Sequence, residues 1–443
     1  MSRRLIRLGR LTLATLLAVP SASCTGRIGD AEAGAGPHGT FGGPGSGNAA
    51  DGGVRPGTAG PTGTTDPKGG GATPGDAGMT SQGLDCTAPA VGATPLVRLN
   101  RSQYANAVRD LLHLSTLPDV TDLAEDERVG PFAGNTVAPV SELVVEQYMT
   151  TAENVARAAA ANLSSLVSCD AAKLGDAACA GQFIDAFGRR AYRRPLTDDE
   201  KSAYTSLYAT YTNPGTPDGL RVLVQTMLSS PNFLYHVELQ PPSPPADAVV
   251  PLDPYELASR LSFFLVSTTP DDTLLDQAAN LGDMNTLRAQ AERLLADPRA
   301  SDSLESFHLQ WLELDKLGTT SKDPAVYPAF DASLAAAMTA ETKHFVDYVI
   351  QNSDAKLETL LTAPYSFPEG ALRTLYGVGP ASGDPSRPTE LDPAQRAGLL
   401  TQAGFLAVHG HANQSAPVQR GKIVIRNVLC EELPDPPPDV DTT

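Results

Sequence analysis

Apolar side chains recur along this chain at helical rather than strand spacing. Behind Asn100, the residues Tyr104, Val108, Leu111 and Leu112 stand three and four apart, as one face of an amphipathic helix requires. Runs of the same kind cover 141–163, 218–229, 253–264, 283–295, 299–314, 331–352 and 392–408. Several open on capping chemistry. Thr197-Asp198-Asp199-Glu200 reads as a capping box, and Asp253-Pro254-Tyr255-Glu256 sets a cap, a first-turn proline and an acid three residues on. Thr269-Pro270-Asp271-Asp272 and Asp392-Pro393-Ala394-Gln395 repeat that pattern. Strand-type alternation is scarce. The pattern predicts an all-α fold of roughly a dozen helices joined by short loops.

The periodicity is missing at the start. Residues 24–84 are Gly, Pro, Thr, Ala and Asp with few large apolar side chains, too little to offset the entropy of ordering. They read as a disordered tether. Ahead of it, Arg3, Arg4, Arg7 and Arg10 precede a short apolar run from Leu11 to Val19 and then Cys24. This is the layout of an export signal over 1–23, its apolar run too short to span a bilayer. The expectation is an extracytoplasmic protein, in the periplasm or on the cell surface, anchored to a bacterial membrane by lipid at Cys24. Breaks at 240–245, rich in proline, and at 379–390 divide the rest into helical segments 85–240, 246–378 and 390–443. No internal repeat of fixed period is present.

Charge and cysteine content narrow the picture. A net charge of −18 repels nucleic-acid phosphates, which argues against nucleic acid as a partner. If Cys24 carries lipid, Cys86, Cys169, Cys179 and Cys430 remain, an even set suited to an oxidising compartment. Cys169 with Cys179, and Cys86 with Cys430, is the favoured of three connectivities.

Four blocks carry a resemblance. They are Arg98-Leu99-Asn100-Arg101-Ser102-Gln103-Tyr104, then Phe187-Gly188-Arg189-Arg190-Ala191-Tyr192-Arg193-Arg194-Pro195, then Leu228-Ser229-Ser230-Pro231-Asn232-Phe233-Leu234-Tyr235 with Glu256 to Leu265, and Ser415-Ala416-Pro417-Val418-Gln419-Arg420-Gly421-Lys422. Their order resembles the "PSD" set of domains of unknown function, abundant in planctomycetes and present in myxobacteria. The resemblance implies work beside cytochrome c-like modules. It also implies a Cys-x-x-Cys-His-like region beyond the prolines Pro436-Pro437-Pro438, to which the fourth block runs on through Cys430. The chain ends at Thr443, before that region. No cofactor motif is evident in it, and haem is expected only on a missing C-terminal part or on a partner.

Candidate chemistry is sparse. His409 and His411 flank a glycine and are followed by Asn413, Arg420 and Lys422, a loop suited to a ligand or a metal. On that cluster rests an alternative to a binding or scaffold role, a metal-assisted hydrolase acting on an extracellular polymer. Arg189, Arg190, Arg193 and Arg194 form a basic block able to grip an anion or to pair with neighbouring acids. Phe307, Trp311, Phe345 and Tyr348 suit either a sugar-stacking platform or the core. No Gly-rich phosphate loop, His-Glu-x-x-His or Gly-x-Ser-x-Gly motif is present. The anchor is open to test: Cys24→Ser is expected to move the protein from the membrane fraction into the soluble fraction, and retention on the membrane would refute lipidation.

Overall fold

Many of the helices begin where a side chain satisfies a free amide of the first turn. The computed structural model describes residues 95–136, 140–159, 166, 176–212, 218–239, 250–380 and 387–433. They fall within the second of the two units into which the chain divides, Ala93–Thr443. The expected export signal, Cys24, the tether, Cys86 and Cys169 lie outside the described residues.

Asn100 caps α1 (Arg101–Leu111). Its side chain accepts the Gln103 N–H at 2.8 Å, and the Gln103 side chain accepts the Asn100 N–H at 3.1 Å. Next come α2 (Glu142–Ala159), α3 (Ala177–Tyr192), α4 (Asp198–Tyr211) on the Thr197–Glu200 capping box, α5 (Asp218–Leu228) and the single turn α6 (Pro231–Leu234). Their apolar faces close one core, in which the Tyr104 ring meets Tyr148 and Phe233 edge-on at 5.4 and 5.6 Å. The strands are two-residue pieces: β1 (Val97–Arg98), β2 (Arg128–Val129), β3 (Phe132–Ala133) and β4 (Tyr235–His236). β1 pairs antiparallel with β4, and β2 with β3.

Arg193 closes this first core. It ends α3 in the left-handed conformation, and its buried guanidinium donates to the carbonyls of Asn232, Phe233 and Tyr235 at 2.9, 3.0 and 2.5 Å. Those carbonyls belong to α6 and to the start of β4. The basic block is therefore structural. Arg194 forks onto Glu200 with two bonds of 2.9 Å, and Arg189 reaches Asp276 at 2.6 Å.

Then follow α7 (Pro254–Val266) capped by Asp253, α8 (Asp272–Asp276) capped by Asp271, α9 (Met284–Leu295) and α10 (Arg299–Trp311). α7 feeds two cores, with Phe263 in the first and Ala258 and Val266 in a small second one. A third core gathers α11 (Ala332–Asp347), which runs on into a π turn over Tyr348–Asn352, with α12 (Leu357–Thr362), α13 (Ala371–Leu375), α14 (Ala403–Val408) and α15 (Pro417–Ile423). β5 (Tyr365–Ser366) and β6 (Thr389–Glu390) pair beside it. Trp311 and Asn427 tie the end of α10 to the turn after α15. The Trp311 indole N–H donates to the Asn427 carbonyl at 2.6 Å, and the Asn427 amide returns to the Trp311 carbonyl at 2.9 Å.

The fold is all-α, as the periodicity implies, but two runs are shorter than expected. The run 299–314 stops at Trp311, because Glu313 adopts φ 58°. The run 392–408 is not one helix. Asp392 opens only a turn, a short 3-10 piece follows at Leu399–Thr401, and the helix proper is α14. The reason is tertiary. Gly398 takes φ +62°, donates its N–H to the Ala363 carbonyl at 2.9 Å, and packs so closely that a Cβ there would lie 2.2 Å from the Leu361 carbonyl carbon. Gly398→Ala is expected to lower the unfolding free energy by about 3 kcal/mol in urea titration. Gly421→Ala, on a helix with open space around it, is expected to be neutral or slightly stabilising.

Candidate functional site

Leu334 and Met338 lie one turn apart on α11 and face Ala403, Leu406 and Ala407 of α14 across a cavity of about 460 Å³. The chain from Lys322 to Phe330 forms a further wall, with Val326, Tyr327 and Phe330 turned into the space. The size and the mostly apolar lining are those of a small-molecule pocket.

The side chains that carry permanent or near-permanent charge in it, Lys322, Arg396 and Arg420, have one sign. Lys322, Arg396, Arg420 and His411 reach the cavity, and no Asp or Glu lines it. Each cation is held by neutral oxygens. Lys322 Nζ donates to the carbonyls of Gly410 and His411 at 2.8 and 2.9 Å, and burial pulls its pKa below the usual lysine value. With the Asp323 N–H on the Ala412 carbonyl at 2.9 Å, this clips the loop 410–412 onto the chain before α11. Arg396 donates to the Thr401 carbonyl at 2.6 Å and lies over the Tyr376 ring, 4.4 Å from its centre. Arg420 Nη2 donates to Ser415 Oγ at 3.1 Å.

Behind the apolar wall lies a buried acid. Glu341, on the inner face of α11, is 1 % exposed. Its Oε1 accepts the Ser366 hydroxyl at 2.6 Å and its Oε2 the Tyr376 hydroxyl at 2.8 Å. The Tyr376 oxygen accepts the Ala403 N–H at 2.8 Å. Gln402 donates to Ser366 Oγ at 3.2 Å and accepts the Thr342 hydroxyl at 2.7 Å. Burial pushes Glu341 up to about 7, against the opposing pull of the two hydroxyls and of the Arg396 charge. Arg396 lines both the cavity and a small crevice beside Ser366, Tyr376 and Gln402, so it stands between cavity and network.

The histidine pair of the sequence divides. His409 sits one turn beyond Phe405, is 5 % exposed, packs against the Phe405 ring at 4.7 Å, and donates from Nε2 to the Leu312 carbonyl at 2.9 Å. Burial lowers its pKa, which favours the neutral ring. His411 is exposed and reaches the cavity, as does Arg420. Asn413 and Lys422 are exposed and do not line it. Among the described residues no three His, Cys, Asp or Glu side chains gather to hold a metal. Phe345 is core, whereas Phe307 stacks between Phe132 and Trp311 at 5.2 and 6.3 Å. Sequence reasoning missed Lys322, Arg396 and the Glu341 network. One signal was available: Glu341 falls in register with Leu334, Met338 and Phe345 on an apolar face.

Four domain families match this chain, each described as a protein of unknown function: PSD3 (DUF1587) over 98–161, PSD5 (DUF1595) over 179–238, PSD4 (DUF1592) over 252–378 and PSCyt3 (DUF1588) over 396–443. The cavity takes its lining from the last two, Lys322 to Leu375 from one and Arg396 to Arg420 from the other. No curated protein and no solved structure matches the chain.

Glu341 makes stability depend on pH. Its folded pKa of about 7 stands above the usual 4.5, so its contribution is complete below pH 4.5 and is lost as pH rises through 7. Urea titration is expected to give about 2 kcal/mol less stability at pH 8 than at pH 5 from this group. Glu341→Gln should flatten that difference, and an unchanged slope would assign it elsewhere.

Proposed function

Because the chain belongs to the PSD-domain proteins, carrying four of their families in order, we propose that it is a binding component rather than a catalyst, holding a small apolar molecule in the cavity between α11 and α14. The observation that carries this reading is the cavity itself: about 460 Å³ with apolar walls and a few convergent polar groups. The hydrolase alternative gains nothing from the geometry, since His409 is engaged with the Leu312 carbonyl and sits in the core.

The setting we propose is the outer side of a bacterial membrane. The basic and apolar start, Cys24 and the Gly- and Pro-rich segment after it support export, lipid anchoring and a tether that lets the binding unit stand off from the membrane. Neither Cys179 nor Cys430 is a free thiol, which supports a disulfide at each; Cys169 with Cys179 and Cys86 with Cys430 is the pairing we propose. A haem-bearing protein beside it is the partner that the family resemblance favours.

The neutral dye N-phenyl-1-naphthylamine is expected to bind with saturable fluorescence enhancement. Ala407→Trp should fill the cavity and abolish the signal while leaving the helical circular dichroism intact. Equal dye binding by this variant would remove the cavity as the site.

A further inference from the structure

The cavity differs from an ordinary apolar void in its charge. The chain carries −18 overall, yet this space is reached by three permanent or near-permanent cations and by no carboxylate. None of the three takes part in an ion pair among the described residues; their bonds go to carbonyl and hydroxyl oxygens. Several arginines elsewhere in the chain rest on acids instead: Arg189, Arg194, Arg260, Arg293 and Arg299. Cations without counter-ions beside an apolar wall favour an occupant that carries negative charge and an apolar body.

On this basis, and resting on the cavity reading above, we infer that the occupant is a medium-chain fatty acid, its carboxylate on Arg420 and its hydrocarbon body against Phe330, Met338 and Leu406. Arg420 is the cation placed to do this. Lys322 has two of its three donors on the Gly410 and His411 carbonyls, and Arg396 is stacked on Tyr376 with one amine on Thr401. Arg420 is half-buried, and its bond to Ser415 engages one Nη, so other N–H groups of its planar fork can donate to a carboxylate. Arg396 and Lys322 then supply field rather than direct contacts. The volume agrees: about 460 Å³ holds on the order of fifteen water-sized groups, which suits a dodecanoate chain with its head group. The planar fork of Arg420 can bond both oxygens of a carboxylate in parallel.

Isothermal titration of the full mature chain with dodecanoate, methyl dodecanoate and dodecyl phosphate tests this. Dodecanoate is expected to bind about tenfold or more tighter than the ester. Arg420→Gln should erase that preference and leave ester binding unchanged, while Arg420→Lys should retain part of it. Equal affinity for acid and ester, or no effect of Arg420→Gln, overturns the inference. Tighter binding of dodecyl phosphate than of dodecanoate also overturns it, in favour of a phosphate head group. Failure of dodecanoate alone, with naphthylamine still bound in an Ala407-dependent manner, refutes the fatty acid and spares the cavity reading. Failure of both refutes the cavity.

Discussion

A carboxyl group on the apolar face of a helix is the constraint around which the C-terminal half is arranged. Glu341 needs two donors where Leu334, Met338 and Phe345 need only packing. Each donor brought to it needs a partner in turn. Ser366 arrives on β5 and is held by Gln402; Tyr376 follows α13 and takes the first amide of α14; Gln402 accepts from Thr342. In a low-dielectric interior such a chain of bonds has to be complete, because any one partner removed leaves the others unsatisfied. The network therefore fixes the position of α14 against α11, and the cavity is the space left between them on one side.

The same network sets the electrostatics of that space. Arg396 lies on Tyr376 and faces the cavity, so the cationic lining and the buried acid share one arginine. The rest of the surface is rich in acid, and most of its arginines are neutralised nearby. A local excess of positive charge survives here because carbonyl and hydroxyl oxygens, not carboxylates, hold Lys322, Arg396 and Arg420.

What the sequence made legible was local. Asn100, Thr197 and Asp253 mark helix starts through bonds that span three residues or fewer, and all three cap as expected. What it hid was long-range. The break at Gly398 depends on a backbone from 361–363, and the role of Arg193 depends on carbonyls near residue 233, neither visible in its neighbours. His409 and His411 look alike side by side, but the helical turn that aligns His409 with Phe405 buries one and leaves the other at the cavity. The four family blocks were readable as ordered strings, while the pocket combines residues from two of the matched domain families, most of them outside those strings.

The reciprocal bonds between Trp311 and Asn427 join residues 116 positions apart in the chain. Closing a loop of that length costs chain entropy, which the packing of the third core has to offset. Arg420 sits on the short helix just before this clamp, so the clamp holds one wall of the cavity in place. Loss of the clamp would therefore unseat one wall of the cavity without removing any residue that lines it.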